Sequence, residues 1–503
     1  MQLTKIFAAL NCFELVYSLV YIVGEDSKCT IEAIRKSLNI ARASDVVIFG
    51  CPEKVIFINE TIVVKHPITI DGSGKNIVSK VGEGKELFKV NLNPIPKNIG
   101  TIYIKNMTIF LTTLNSIGLL ASNQKAHINI SSVHFKKIDG SYRAVVINDG
   151  FNLNVSNGIF SDSGTAIHCD KCKAFSFVKN HIITSTKEGG IFKVVLDKSD
   201  DSYINFVGNK IENGFHNRYI MALFGGNTLI FVDNVIKNME TTNFTLMTGC
   251  SNNFTFKYNL IENTKNGTTF SISNVKNLLC EGNKFINNQV NINLVILNCT
   301  HVHLKKNRFI GNQCEQYNIQ ALDIHNFTAT DNYFYNNTAE FGAAITISKA
   351  NIAKTSGNSF VKNLATVGGN AMLVNNVKQL TIRSDFFAAN GDKEVLFYVA
   401  NSTMQIAFSA FICSISPLLN TNPANATFLI EKSIFGAQNT SCSSSLINNS
   451  VFMVRANEYK VEDCDSNTKR NFSIGTTNVC SRFNNFMQKS NLSCMSNIFS
   501  RLK

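Results

Sequence analysis

One slot in this sequence returns about every 25 residues and is filled by asparagine eight times in succession: Asn180, Asn209, Asn234, Asn259, Asn283, Asn307, Asn332 and Asn358. The same register is held by Met107, Val133 and Gly158 before this run, and by Asp385, Ser409, Ser433 and Asn457 after it. From Met107 to Asn457 the slots span 350 residues in 14 steps, a mean period of 25. Short alternating stretches such as "FSFVKN", "FTFKYN" and "VHLKKN" lead into the slot, with apolar side chains two apart as in a strand. A second asparagine column follows four or five places later, through Asn213, Asn238, Asn263, Asn287, Asn312, Asn336, Asn363 and Asn390. Several short strands in each 25-residue repeat describe one turn of a parallel β-solenoid. An asparagine at the same bend of every coil can hydrogen-bond the backbone and the next asparagine, satisfying groups that the sheet cannot reach. The pattern predicts about sixteen coils, with Phe and Ile columns filling the interior.

Composition agrees with a solenoid rather than a helical repeat. Tryptophan is absent, proline numbers 6 and phenylalanine 38 in 503 residues, and no 3.6-residue period or leucine-rich signature runs through the repeats.

The run of asparagine slots resembles the asparagine ladders of the right-handed parallel β-helix, or pectin-lyase-like, superfamily over roughly residues 45–460. The segment "TIEAIRKSLNIA" at 30–41 puts Ile31, Ile34, Leu38 and Ala41 on one helical face ahead of the strand "VVIF". That order is similar to the amphipathic helix with which the superfamily covers its first coil. Cys29 and Cys51 bracket this helix and strand and form a natural disulfide pair. Five coils, starting at Phe285, Phe309, Phe334, Phe360 and Phe387, also resemble the F-x-x-N repeats of polymorphic membrane proteins, with "FGAAI" and "GGNAM" as loose companions. The fold implied is all-β: a single-stranded right-handed parallel β-helix with an N-terminal cap helix and a Cys-containing C-terminal cap. The second resemblance implies adhesion.

Residues 1–24 read as a secretory signal, with Lys5 before a mostly apolar run ending at Gly24; an uncleaved anchor is the alternative. The cap and first coils would then occupy 25–100, the regular β-helix 101–459 and the C-terminal cap 460–503, where Cys464, Cys480 and Cys494 lie. Fourteen cysteines and sixteen Asn-x-Ser/Thr sequons fit an extracellular destination; the sequons include Asn106, Asn129, Asn243, Asn266, Asn326, Asn401 and Asn491. The formal charge of +13 is spread along the chain. It suits a solvated surface or weak attraction to acidic polysaccharide, and nucleic acid is not an expected partner.

β-Helix enzymes that cleave acidic polysaccharide need aspartates converging on one outer face, and the lyases add calcium and a basic residue. Here the signatures are fragmentary. Asp200 and Asp201 form a lone pair in "SDDS". Asp323 and His325 in "LDIHNF" lie one coil from His301 and His303 in "HVHL", with Arg308 nearby. Counted back from the next slot, His301 and His303 fall at six and four while His325 falls at seven, so the registers do not coincide. Asp233 and Asp331 precede slots four coils apart. Asp385 occupies a slot and reads as structural, beside Arg383. "HCDKC" at 168–172 suggests a disulfide between Cys169 and Cys172 before it suggests a metal, and Cys280 belongs to an inward column. The expectation is a secreted, non-catalytic, glycan-binding and adhesin-like protein without cofactor, its oligomeric state open. A diverged lyase or hydrolase, with calcium if lyase-like, is the alternative.

Overall fold

The computed structural model describes most of residues 18–412, with breaks at 25–27, 93–99, 114, 123–125, 138–142, 150–151, 162–164, 184–190, 198, 200, 217–218, 250 and 392–395, and isolated short strands beyond 412. It is a right-handed parallel β-solenoid with one helix among the described residues, and it divides into two compact units, Met1–Ile183 and Thr184–Lys503.

In the first unit each coil contributes strands to three faces. Val46–Phe49 continues into the segments around Thr69, Tyr103, Asn129, Asn154 and Ser176 on one face. Val55–Ile58 heads a second face, and Ile62–Val64 heads the third. The helix α1, Ile31–Ile40, forms because Thr30 caps it, its Oγ1 accepting from the Ala33 amide at 3.2 Å, with Glu32 in the first turn. Ile34, Leu38 and Ala41 are buried beneath it, whereas Ile31 is only half-buried. Cys29 and Cys51 are disulfide-bonded with Cα atoms 5.4 Å apart, tying the helix to the first coil; Cys169 and Cys172 are bonded as well.

Val20–Val23, inside the stretch read as a signal, is a strand paired in parallel with Val46–Phe49. The Leu19 amide donates to the buried Asp45 carboxylate at 2.9 Å, and Val23 is 2% exposed. These residues are the first rung of the sheet. Residues 1–17 lie outside the described residues, as do Cys464, Cys480, Cys494, Asn457 and Asn491. Of the expected C-terminal cap, only an antiparallel pair, Ser473–Ile474 with Thr477–Asn478, is described.

The second unit repeats the three faces with greater regularity. One face runs Tyr203–Val207, Thr228–Val232, Asn253–Lys257, Asn277–Glu281 and His301–Lys305 and continues through Asn326 and Ile352. A short second face follows each of these strands, and a third precedes it.

The bend between the first two faces carries the ladder. From Asn234 to Asn358, each slot asparagine accepts on its Oδ1 from the backbone and side-chain amides of the slot asparagine one coil earlier, at 2.9–3.0 Å. Asn180, in the first unit, does the same for the Gly158 amide at 2.7 Å and donates to the Val155 carbonyl at 2.9 Å. The second asparagine column resolves into two. Positions four beyond the slot, such as Asn213, Asn238, Asn263, Asn287 and Asn336, are left-handed and turn the chain. Positions five beyond are buried and form a second ladder, Thr264–Asn288–Asn312–Asn337–Asn363–Asn390, with amide-to-Oδ1 distances of 3.0–3.2 Å. The sequence merged them because a left-handed turn and a buried amide both select asparagine.

Between these ladders, Phe285, Phe309, Phe334, Phe360 and Phe387 stack almost parallel at 4.7–5.1 Å between centroids. Cys280 sits in the inward column of the neighbouring face, fully buried.

Candidate functional site

The residues that sequence reasoning picked for chemistry scatter over the second unit. Asp201 is exposed at the turn before Tyr203–Val207, and Asp200 lies outside the described residues. Arg308 opens a strand of the second face in the column Lys284–Arg308–Tyr333, around the bend from His301 and His303. Asp323 is left-handed at a different bend and pairs with Lys349 at 3.8 Å, both well exposed. Asp233 and Asp331 are likewise left-handed turn residues. Among the described residues no group of three or more His, Cys, Asp or Glu could hold a metal ion.

Asp385 has the structural place its slot suggested. It accepts the Asn358 backbone amide at 2.7 Å and side-chain amide at 3.1 Å on one oxygen, and the Thr355 hydroxyl at 2.5 Å on the other. Thr355 stands where the preceding coils carry Cys280, Leu304 and Ala329. Burial pushes the Asp385 carboxyl up to about 7, against the lowering effect of those donors.

The histidines do come together, despite their unequal offsets. His301 aligns with Asn326 on the next coil, so His325 falls one residue outside the strand register, at the bend. The His301 and His325 rings nevertheless meet at 87° with centroids 6.4 Å apart. The Asn326 amide approaches His301 Nδ1 at 3.1 Å, and the Asn351 amide approaches His325 Nδ1 at 2.7 Å. His303 meets the Thr330 hydroxyl at 3.0 Å, and burial, aided by Lys305, holds its pKa below the ordinary imidazole value.

These rings belong to a larger array that sequence reasoning missed. On the outer surface Asn253, Asn277, His301 and Asn326 stand in one column, and the Asn277 amide donates to Asn253 at 3.0 Å. Beside it Asn252 donates to Asn227 at 2.7 Å, and at the bend Asn298 donates to Asn274 at 2.6 Å. A cleft of about 640 Å³ runs along this bend, lined by Ser199, Asn227, Asn252, Asn274, Lys276 and Thr300 among others. On the same face Glu281 lies 2.8 Å from Lys257 and 3.6 Å from Lys305, one carboxylate between two ammonium groups. The amides of the array offer uncharged donors and acceptors at the coil spacing, about 4.8 Å. Its members were visible as asparagines and histidines in the strands. Asn253, Asn277, His301 and Asn326 each stand six residues before a slot, so the ladder register aligns them, and only His325, at seven, falls outside it.

The sequons divide by position. Asn106, Asn266 and Asn401 are left-handed and exposed at turns, and Asn243 is exposed in a turn. Asn129 and Asn326 are half-buried within strands.

No family model matches the chain. It is 24% identical over 376 residues to a transmembrane domain-containing protein of Dictyostelium discoideum, covering 67% of this chain and 22% of that protein. The chain thus spans about a fifth of that relative's length. Among solved structures, tailspike protein 3 of bacteriophage CBA120 is similar at 10% identity, over 93% of this chain and 68% of the tailspike, with a TM-score of 0.30. Among the described residues no helix is long and apolar enough to cross a membrane.

Proposed function

We propose that this protein is an extracellular, non-catalytic glycan-binding protein that acts as an adhesin. The observation that carries the reading is the stacked column of amides and imidazoles from Asn253 to Asn326, with the polar cleft along the adjoining bend. Hydroxyl-rich chains present alternating donors and acceptors, and fixed amides meet both without an unpaired charge. Repetition along the coils lets individually weak contacts add. The net charge of +13 adds a screened attraction for acidic chains. The scatter of Asp201, Arg308 and Asp323 over different bends and faces supports binding without cleavage.

The test is a glycan array run beside a uronide-cleavage assay, with and without calcium. We expect retention on at least one polysaccharide, weakened by salt where the chain is acidic, and no unsaturated or reducing-end product. Retention of no glycan would refute the reading. Calcium-dependent product abolished by Asp323→Ala would replace it with a lyase.

A further inference from the structure

The bend that carries the first ladder contains a left-handed residue immediately before each slot. Glycine fills this position at Gly208, Gly282 and Gly357, and small or charged residues fill it at Asp233, Lys306 and Ser384. At residue 258 it is a tyrosine, with φ 55°. Lys179, Lys306 and Phe408 adopt the same conformation, so it belongs to the bend of every coil; Tyr258 uses it to present an aromatic ring to solvent. Tyr258 is 57% exposed, and its ring rests against the next coil at Gly282. A Cβ at residue 282 would approach Tyr258 Cδ1 to 2.6 Å and Cε1 to 2.7 Å, so the glycine makes the seat on which the ring lies. Ring and seat border a hollow of about 370 Å³ whose other walls are Asn259, Leu260, Glu262, Lys284 and Ile286. Phe408, the other aromatic residue in this column, has the Arg383 guanidinium 5.1 Å from its ring centre.

We infer that the Tyr258–Gly282 seat is a sugar-stacking subsite that takes one hexopyranose ring of a glycan with equatorial hydroxyls. Such a ring presents a face of C–H groups, which packs on the electron-rich face of an aromatic ring while its hydroxyls point outward. Glu262, ion-paired with Lys237 at 2.8 Å, supplies an acceptor beside the hollow, and Lys284 supplies a donor. Aromatic platform, acceptor and donor together fit a neutral or mildly acidic sugar better than a peptide side chain or a lipid. Tyr258 lies five residues along the chain from Asn253, at the head of the amide column, about 16 Å at strand rise. One oligosaccharide of a few rings can engage both. The inference rests on the glycan-binding reading and fixes where a ring is held.

The test measures affinity and melting temperature together. Full-length protein is titrated with cello-, laminari-, manno- and galacturono-hexaose, and the tightest binder is carried through the variants. Tyr258→Gly removes the platform and relieves the left-handed strain, so it should melt higher than the parent while binding about five- to tenfold more weakly. Tyr258→Phe should bind within about twofold of the parent, because the stacking face is kept. Gly282→Ala, which pushes the ring off its seat, should weaken binding as Tyr258→Gly does. Parent-like affinity in Tyr258→Gly would overturn the subsite and leave the glycan-binding reading intact. Failure of the parent to bind any of the four sugars, or any glycan on the array, would overturn both.

Discussion

Replacing Asn283 by leucine tests whether the ladder holds the coils or merely decorates them. Its Oδ1 accepts the Asn259 backbone amide at 3.0 Å and side-chain amide at 2.9 Å. Its Nδ2 donates to the Phe256 carbonyl at 2.8 Å and to Asn307 Oδ1 at 3.0 Å. Leucine of similar size leaves three buried groups without these partners: the Asn259 backbone N–H, one Asn259 side-chain N–H and one lone pair of the Phe256 carbonyl. Each neutral orphan costs about 1–3 kcal/mol, and the added apolar burial returns about 1–2 kcal/mol, so the net loss should be about 4 kcal/mol. A suitable control is Asn277→Thr, which removes an exposed amide contact from a strand and should change stability by about 0.5 kcal/mol or less. Asn266 is a poorer control, since its φ of 59° would make leucine costly through backbone strain alone. Equilibrium unfolding in urea gives the size of the effect. Because repeat stability is local, amide exchange should also show Asn259 losing protection ahead of distant coils. Identical unfolding midpoints for Asn283→Leu and Asn277→Thr would refute the argument.

Non-reducing peptide mapping should recover Cys29 linked to Cys51. The buried thiols of Cys299 and Cys314, pushed by burial up to about 11 and about 12, should resist alkylation until the protein unfolds; free Cys29 and Cys51, or rapid labelling of the other two in native protein, would contradict this. Asp385 binds its proton more tightly in the folded state, so its contribution to stability is complete below the ordinary carboxylate pKa near 4. It falls as pH rises towards about 7 and is flat beyond. Asp385→Asn should therefore raise the melting temperature more at pH 8 than at pH 5, and equal shifts at both would count against a buried, protonated Asp385. N-terminal sequencing of secreted protein should find Ser18–Gly24 retained, because Val20–Val23 is a paired strand; a chain starting at Glu25 would show that the solenoid dispenses with its first rung.

The period of 25 and the eight asparagine slots determined the solenoid from sequence alone, because parallel stacking forces equivalent residues of every coil to meet the same environment. The inward Phe column, the amphipathic cap helix and the Cys29–Cys51 bracket were legible for the same reason: each is a local or strictly periodic pattern. What lay across the bends was not. Coil length varies there by a residue, so the offsets of His301 and His325 seemed incompatible although their rings meet, and two asparagine columns with different duties looked like one. At Val20–Val23 an apolar leader and an apolar edge strand ask for the same residues, and the pairing with Val46–Phe49 came only from the structure. Tyr258 stands in the sequence immediately before slot Asn259, but nothing there marked its ring as exposed. Its seat on Gly282 arises from the stacking of two coils, and that contact exists only once the chain has wound past it.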